Sequence, residues 1–531
     1  MTNKQVANKF KLLGDLMELL KENPFKYRSY HNAYRVIRAQ PEPVIEQSLE
    51  ELERVKGIGK AIADKIHQLR DTGTITTLDR MLEQTPPGIV KLLGVKGIGV
   101  KKIATVWQEL DVKSPGELLY ACQENRLVEL KGFGAKTQDK LRDQLEYYLA
   151  TEDSMLYAIA EEAAVNCMNL LMQSETIVSV HFVGDLLRQN PIVAEIELAI
   201  ITDDVRDAAE EIAELGFESD GDISSHPEIG DFVFHLISDE DELEVLCELP
   251  PDHQVLTAYS SSDLVGIPYH MQELTTIEYL KANPSALDQV ITNEEIKGCI
   301  HNHTTDSDGS HSLEQMVDQA TINGYEYLVI SDHSRSAFYA NGLKEERLLA
   351  QGKSIDQINA NQSDIKVYKS VESDILNDGS LDYDQEILDQ LDLVIASVHS
   401  NLGMDELKAT QRLITAIEHP ATRILGHPTG RLLLARKGYP IDYAKVIDAC
   451  QANGVVIELN ANPHRLDIDW TWLNYCIKKK VMISINPDAH HRETYTHMRY
   501  GVLAAQKAAF PRELVLNAKS LEEFEKWRSN R

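Results

Sequence analysis

Six short apolar runs in the C-terminal part of the chain each end in an imidazole or a carboxylate. KGCI (297–300) leads into His301-Asn-His303 and then Asp308, and YLVIS (327–331) leads to His333. IKVYKSV (365–371) ends at Glu372, DLVIAS (392–397) at His399, TRIL (422–425) at His427, and VMISI (481–485) at Asp488 and His490. One histidine after a strand is an ordinary structural residue. Nine such groups in register are not, because without a cation the acids repel and the imidazoles lack acceptors. Nitrogen and oxygen ligands without thiolate suit Mn²⁺, Zn²⁺ or Fe²⁺ better than Ca²⁺ or copper. Nine groups exceed the needs of one ion and imply two or three. Such a cluster activates water near neutral pH and clamps both oxygens of a phosphoester displacement. Phosphoester hydrolysis is therefore the chemistry these residues point to.

Convergence of the nine groups demands a particular scaffold. With GVVIEL (454–459) counted, seven apolar runs alternate with helical stretches, the pattern of parallel βα units closed or nearly closed as a barrel. In a barrel the residues at the C-terminal strand ends face one mouth. The preceding module, 151–290, reads as α+β: a strand–turn–strand at 179–201, a helix at 204–215, and strands at 232–237 and 243–249.

The first 150 residues look helical and repeat a Gly-x-Gly turn ahead of an amphipathic helix: VKGIGKAIADKI (55–66), VKGIGVKKIATVW (95–107) and LKGFGAKTQDKLRDQL (130–145). Gly57, Gly59, Gly97, Gly99, Gly132 and Gly134 permit positive φ and close approach of a phosphate. The helix N-termini that follow favour an anion. Lys60, Lys101 and Lys102 stand beside the turns as supplementary charges. Contacts of this kind position a protein on a phosphate backbone and specify no base.

The net charge of −31 over 531 residues argues at first against a polyanionic partner. Its distribution changes that reading. Residues 1–150 hold 24 Lys+Arg against 20 Asp+Glu, residues 151–290 hold 3 against 30, and residues 291–531 hold 26 against 34. The excess sits in the middle module, and the N-terminal third is free to meet DNA. Six scattered cysteines without a CxxC pair read as reduced cytosolic thiols. With no signal-peptide core and no apolar stretch long enough to span a membrane, a cytoplasmic protein without a membrane partner is expected.

HNHTTDSDG, ISDHS, VESDIL, ASVHS, LGHPTGRLL and NPDAHH resemble, in order, the motifs of polymerase-and-histidinol-phosphatase (PHP) domains. The resemblance covers roughly 296–495 and implies a distorted seven-stranded βα barrel with a trinuclear metal centre. His301, His303, Asp308, His333, Glu372, His399, His427, Asp488 and His490 match its ligand positions. In GCIHNH this chain departs from the many members that carry an Asp two residues before the first His. Arg431, four residues after His427, is a candidate phosphate contact, with a surface salt bridge as the alternative.

The order of modules resembles a bacterial family X DNA polymerase over nearly the full length. NPFKYRSYHNAYRVI (23–37) is similar to the opening of its small lyase-like domain. Lys65 matches the Schiff-base lysine of lyase members, a plain phosphate contact being the other role open to it. The middle module is similar to the family's palm but departs from it. Where the family has a Gly-Ser turn followed by basic residues, this chain has Gly184-Asp185-Leu186-Leu187-Arg188. Where it has Asp-x-Asp, this chain has Glu195-Ile-Glu197, with no clear third carboxylate near Glu244-Val245. The extra methylene of Glu shifts each carboxylate by about a bond length, and Mg²⁺ tolerates little distortion, so a poor Mg²⁺ site is expected. Three basic residues in 151–290 cannot supply the field that a template and a triphosphate need.

Three modules are thus expected: an all-α lyase-like and helix-hairpin-helix region (1–150), an acidic, degenerate nucleotidyltransferase-like palm (151–290) and an α/β PHP barrel (291–531). The function they imply is a 3′-5′ exonuclease or 3′-end phosphodiesterase of DNA repair. It would use two or three Mn²⁺ or Zn²⁺ ions, hold DNA by its backbone, and take a protein partner, if any, at the acidic middle. Retained gap-filling synthesis, a histidinol-phosphatase-like small-molecule phosphatase and a non-enzymatic DNA-end scaffold are the competing readings.

Overall fold

The computed structural model describes residues 1–95, 97–128, 130–149, 154–227, 229–248, 264–361 and 364–530. The chain forms two compact units, Met1–Leu149 and Ala150–Arg531.

The first unit is helical. Each Gly-x-Gly turn opens a helix: Lys60–Thr72, Val100–Leu110 and Ala135–Leu149. In the first of these, Ile62, Ala63, Ile66 and Leu69 recur at helical spacing and are buried, which sets the face that packs. The apolar residue between the glycines, Ile58 or Ile98, is buried in the same core and pins the turn. Each such burial contributes about 1.5–3 kcal/mol.

In the second unit, residues 154–248 build a mixed sheet from β1 (Ile177–Phe182), β2 (Glu197–Thr202), β3 (Glu218–Asp220), β4 (Ile223–His226) and β5 (Gly230–Ile237), in the order β1-β2-β5-β4-β3. Strands β2 and β5 run parallel, with Ala199 opposite His235. The strand expected at 243–249 is instead a helix, Glu240–Glu248, and Leu249 lies outside the described residues. Leu243, Leu246 and Cys247 fall three and four apart and so share one helical face. Asp239 accepts from the Glu242 N–H at 3.0 Å at its start.

From Gly298 onward the strands of the described residues pair in parallel, with antiparallel contacts only as isolated bridges such as Ile375↔Leu381. Strands β6 (Gly298–Cys299), β7 (Tyr327–Ile330) and β8 (Lys366–Lys369) pair in order. So do β9 (Glu372–Asp374), β10 (Val394–Ser397), β11 (Thr422–Leu425), β12 (Val456–Asn460) and β13 (Ile483–Asn486). β8 and β9 continue one another across residues 370 and 371, so seven strand positions result. Parallel bridges His333↔Glu372 and Asn302↔Ala489 join the two sheets into a ring.

Strand residues alternate between two apolar clusters, as a period of two requires. Leu328, Ile330, Val394, Ala396, Leu425 and Ile457 enter one; Tyr327, Val329, Ile395, Ile424 and Val456 enter the other, with Tyr368 and Phe524. Two-residue steps along the strands from this second cluster lead to His333, Glu372, His399 and Glu458. The apolar alternation therefore sets where the polar groups emerge.

The middle module packs on this barrel-like ring. The fully buried Lys507 ammonium donates to the Arg188 carbonyl at 2.8 Å, Asn190 Oδ1 at 3.1 Å and Glu273 Oε1 at 3.1 Å. All six cysteines are free and buried. Among the described residues no helix is long and apolar enough to cross a membrane.

Candidate metal centre

The nine strand-end groups meet in one buried cluster organised around three carboxylates. Glu372 is the hub: its Oε1 lies 3.2 Å from His301 Nε2, 3.0 Å from His399 Nε2 and 2.8 Å from His427 Nε2. Its Oε2 lies 2.8 Å from His333 Nδ1 and 3.7 Å from His303 Nε2. Asp308 stands 3.5 Å from His333 Nε2 and 3.3 Å from His490 Nε2. Asp488 stands 3.1 Å from His303 Nε2 and 3.5 Å from His301 Nε2.

Three sets have ligand atoms close enough for one ion each: His303, Asp308, His333 and His490; His301, His303 and Asp488; and His333, Glu372 and His399. His303 and His333 are shared between sets, and His427 joins through Glu372. Two ligand residues, His301 (φ 65°) and Asp488 (φ 51°), hold left-handed backbone conformations, which concentrate at functional sites.

The donor set fits divalent cations. His301 Nε2, His303 Nδ1, Asp308 Oδ2, both nitrogens of His333, Glu372 Oε2 and His427 Nδ1 are buried without a well-formed hydrogen bond. Such groups are costly unless an ion takes their lone pairs. Burial would raise the Glu372 carboxyl, but His399, His301 and His333 prevail and hold it well below the usual carboxylate range. Burial, then the His490 and His333 imidazoles, push His303 down to about 3, so its ring is neutral and its lone pair available. The three carboxylates are held ionised and His303 neutral, whereas at His301 and His399 burial is outweighed by the surrounding carboxylates, which raise those two imidazoles, His399 to about 10.

Sequence reasoning missed the residues that hold these ligands in place. Glu458, on β12, is fully buried; its Oε1 accepts from His301 Nδ1 at 2.6 Å and Asn486 Nδ2 at 2.7 Å, and its Oε2 accepts from the His427 N–H at 2.7 Å. Asp374 accepts from His399 Nδ1 at 2.6 Å. Both fix the tautomer that turns Nε2 inward. Asp332 accepts from the Thr304 N–H at 2.7 Å and shapes the loop between His303 and Asp308. Arg465 brings a buried guanidinium to 3.7 Å from Asp488 Oδ2. A carboxylate inside an apolar strand, as in VVIEL, was the available signal for Glu458, because it needs a partner.

Arg431 does not face this centre as a free cation. Its guanidinium pairs with Asp469 and donates to the carbonyls of Arg465, at 2.9 Å, and Leu466. Cys299, in the stretch that departs from the PHP pattern, is buried in the apolar core.

A protein of Bacillus subtilis, the DNA polymerase/3′-5′ exonuclease PolX, is 31% identical over 99% of this chain and 99% of its own. The chain belongs to the PolX family. A helix-hairpin-helix domain model matches residues 1–75, and a SAM-like helix-hairpin-helix tandem model matches residues 89–146. A probable phosphatase of Caldicellulosiruptor saccharolyticus is 29% identical over 42% of this chain and 92% of its own, and one of Acetivibrio thermocellus is 26% identical over 43% and 92%.

In this PolX chain the helix-hairpin-helix turns have the geometry that close approach to an anion needs. Gly57, Gly97 and Gly132 adopt φ of +102°, +88° and +92°. Gly59 and Gly99 cap their helices without a side chain, and nothing lies within 4 Å of where a Cβ of Gly59, Gly99, Gly132 or Gly134 would be. Lys60 and Lys101 are exposed, Lys102 lies 5.2 Å over the Phe133 ring, and Lys65 is half-buried on the helix after the first turn.

In the middle module, several of the groups singled out from the sequence border a cleft. This cleft, of about 240 Å³, is lined by Gly184, Asp185, Arg188, Glu195, Glu197 and His235, among others. Glu197 Oε2 lies 3.1 Å from His235 Nε2, both side chains about 30% exposed. Asp185 accepts from Asn190 Nδ2 at 2.7 Å and from the Ala194 N–H at 3.0 Å. Arg188 is buried and donates to the Cys247 carbonyl at 3.3 Å. Glu244 lies on the helix, and β5, beside the Glu197 strand, presents His235.

Proposed function

We propose that this PolX protein is a metal-dependent phosphoester hydrolase that trims DNA 3′ ends during repair, and that its palm no longer synthesises DNA. The observation that carries the reading is the buried cluster of three carboxylates among six imidazoles, with ring nitrogens left for ions. The three modules are 1–150, 151–290 and 291–531, the last a distorted seven-stranded PHP barrel and the second a degenerate nucleotidyltransferase-like palm.

His301, His303, Asp308, His333, Glu372, His399, His427, Asp488 and His490 would hold two or three Mn²⁺ or Zn²⁺ ions. Bound there, the ions activate water and neutralise charge on the phosphate. The chain's own residues prepare that step. Glu458 and Asp374 accept the Nδ1 protons of His301 and His399 and so direct Nε2 inward. Asp332 keeps the Asp308 loop in place. Arg465, 3.7 Å from Asp488 Oδ2, would balance the charge of that carboxylate; the pairing of Arg431 with Asp469 leaves it a structural part in the loops around it.

The Gly-x-Gly turns, with Lys60, Lys101 and Lys102, would hold DNA through its phosphates without reading sequence. Lys65 stands as a further phosphate contact or a lyase nucleophile. In the palm cleft, Asp185, Arg188 and Glu197 already have partners within the protein, which supports loss of synthesis. The acidic module would instead solubilise the chain or take a protein partner.

Release of nucleotides from a 3′-labelled primer with Mn²⁺ tests the reading. Wild-type protein should shorten the strand and His399→Ala should not. Equal activity would remove the assignment to this centre. Hydrolysis of a small phosphomonoester that does not need residues 1–150, with no action on DNA, would favour the phosphatase alternative.

A further inference from the structure

A second group of potential ligands lies outside the nine. His311, His491 and Glu493 each offer one ligand atom, and these atoms lie within 4.8 Å of one another. His311 and His491 are half-buried, whereas Glu493 is exposed. The two rings meet edge to face, with centroids 5.6 Å apart.

Both histidines extend the loops that carry barrel ligands. His311 follows His303 and Asp308, and His491 follows Asp488 and His490. Those loops are held together by backbone. The His303 N–H donates to the Ala489 carbonyl at 2.9 Å, and the Ser310 N–H to the His490 carbonyl at 2.8 Å. The Thr305 N–H closes its own loop on the His311 carbonyl at 3.0 Å. Ser310 Oγ lies 2.9 Å from His491 Nε2 and ties that ring to the first loop. Ligands on such a frame lose little freedom on binding an ion.

We infer that His311, His491 and Glu493 form a further site for one Zn²⁺-class ion on the rim of the barrel, separate from the ions of the central cluster. Two imidazoles and one carboxylate suit Zn²⁺ better than Mg²⁺ or Ca²⁺. Three protein ligands leave a coordination position open to water or to a phosphate oxygen of an entering strand. The contacts that compete for Glu493 and His311 are weak. Arg492 Nε pairs with Glu493 Oε1 at 3.0 Å with both side chains about half exposed, and the Arg492 N–H reaches His311 Nδ1 only at 3.5 Å.

The test uses full-length protein stripped of metal and titrated with Zn²⁺ alone, with bound zinc counted by mass spectrometry after gel filtration. Wild type should hold one more Zn²⁺ than His311→Ala/His491→Ala. Glu493→Gln, which alters only an exposed side chain, should weaken one class of Zn²⁺ by about tenfold or more and leave the other classes unchanged. Equal zinc content and superimposable isotherms in wild type and both variants would overturn the inference. So would loss of more than one ion in the double variant, since the two histidines would then be supporting the central cluster. These readouts involve no activity, so the outcome stands apart from that of the His399→Ala nuclease assay.

Discussion

The strand-end cluster and the cleft at Gly184 and Glu197 both gather carboxylates, but the two sets have different surroundings. In the cluster, Glu372, Asp308 and Asp488 are buried among imidazoles, and several ring nitrogens have no well-formed hydrogen bond. In the cleft, Glu197 and Asp185 are partly exposed and already engaged, by His235 and by Asn190 with the Ala194 N–H. Negative charge is greatest in residues 151–290, with 30 acidic residues among 140 positions, yet among the described residues none of the groups able to hold an ion lies there. Desolvated donors without a well-formed hydrogen bond favour an ion, because it offsets the cost of burying them.

Breaking the barrel side of this contrast should give the largest effect. Removing Glu372 or His399 takes a ligand from a shared cluster, so Glu372→Ala and His399→Ala should each lower DNA hydrolysis by at least about a hundredfold. Primer shortening measures this. Chelation should abolish the activity of the wild type, and Mn²⁺ should restore it. A Glu372→Ala protein that keeps full activity would place the chemistry elsewhere. Glu458→Gln sharpens the same point. Its amide cannot accept both the His301 Nδ1 proton and the His427 N–H, so metal affinity should fall by about 10–100-fold without any ligand being deleted. Calorimetric Mn²⁺ titration distinguishes this from simple unfolding.

How far the sequence foretold these places depends on what each one rests on. The nine strand-end groups were legible because period-two apolar runs predict strands, and a strand end predicts a mouth. Glu458 was not, since it sits within the sixth run, where no spacing motif marks it. Arg431 could not be resolved, because its partners lie 34 to 38 residues away on the 465–469 loop. The run at 243–249 has the apolar content of a strand but the spacing of a helix. Leu243, Leu246 and Cys247 fit a helical stripe, and a short apolar run does not separate the two periods. The middle sheet was legible through β2 and β5, but the partners of Asp185 and Arg188 depend on tertiary contacts that the Gly184–Arg188 turn alone does not disclose.

The helix-hairpin-helix unit offers an intermediate test, since it should affect binding and spare the metal cluster. A Cβ on Gly57 would approach Val36 Cγ2 to 2.9 Å, at a φ of +102°. Gly57→Ala should therefore cost about 1–2 kcal/mol in that turn and weaken DNA binding. Lys60→Ala/Lys101→Ala/Lys102→Ala should weaken binding evenly across sequences and reduce the logarithmic salt slope by about 3. Fluorescence anisotropy over a salt series reads both. A slope that does not change would mean that these lysines do not meet phosphate.

The palm side should give the smallest effects, and that is how the contrast can be broken from the other direction. Glu197 and His235 form a partly exposed pair, which contributes about 0–1 kcal/mol. Glu195 is exposed, and no barrel ligand depends on either acid. Glu195→Ala/Glu197→Ala should consequently melt within a few degrees of the wild type and shorten a 3′-labelled primer at the wild-type rate. Neither protein should fill a gap when supplied with Mg²⁺ and nucleoside triphosphates. Gap filling by the wild type, lost in the double variant, would show that two glutamates engaged as these are can still recruit Mg²⁺. Partner-free burial would then no longer be what separates a working ion site from a decayed one.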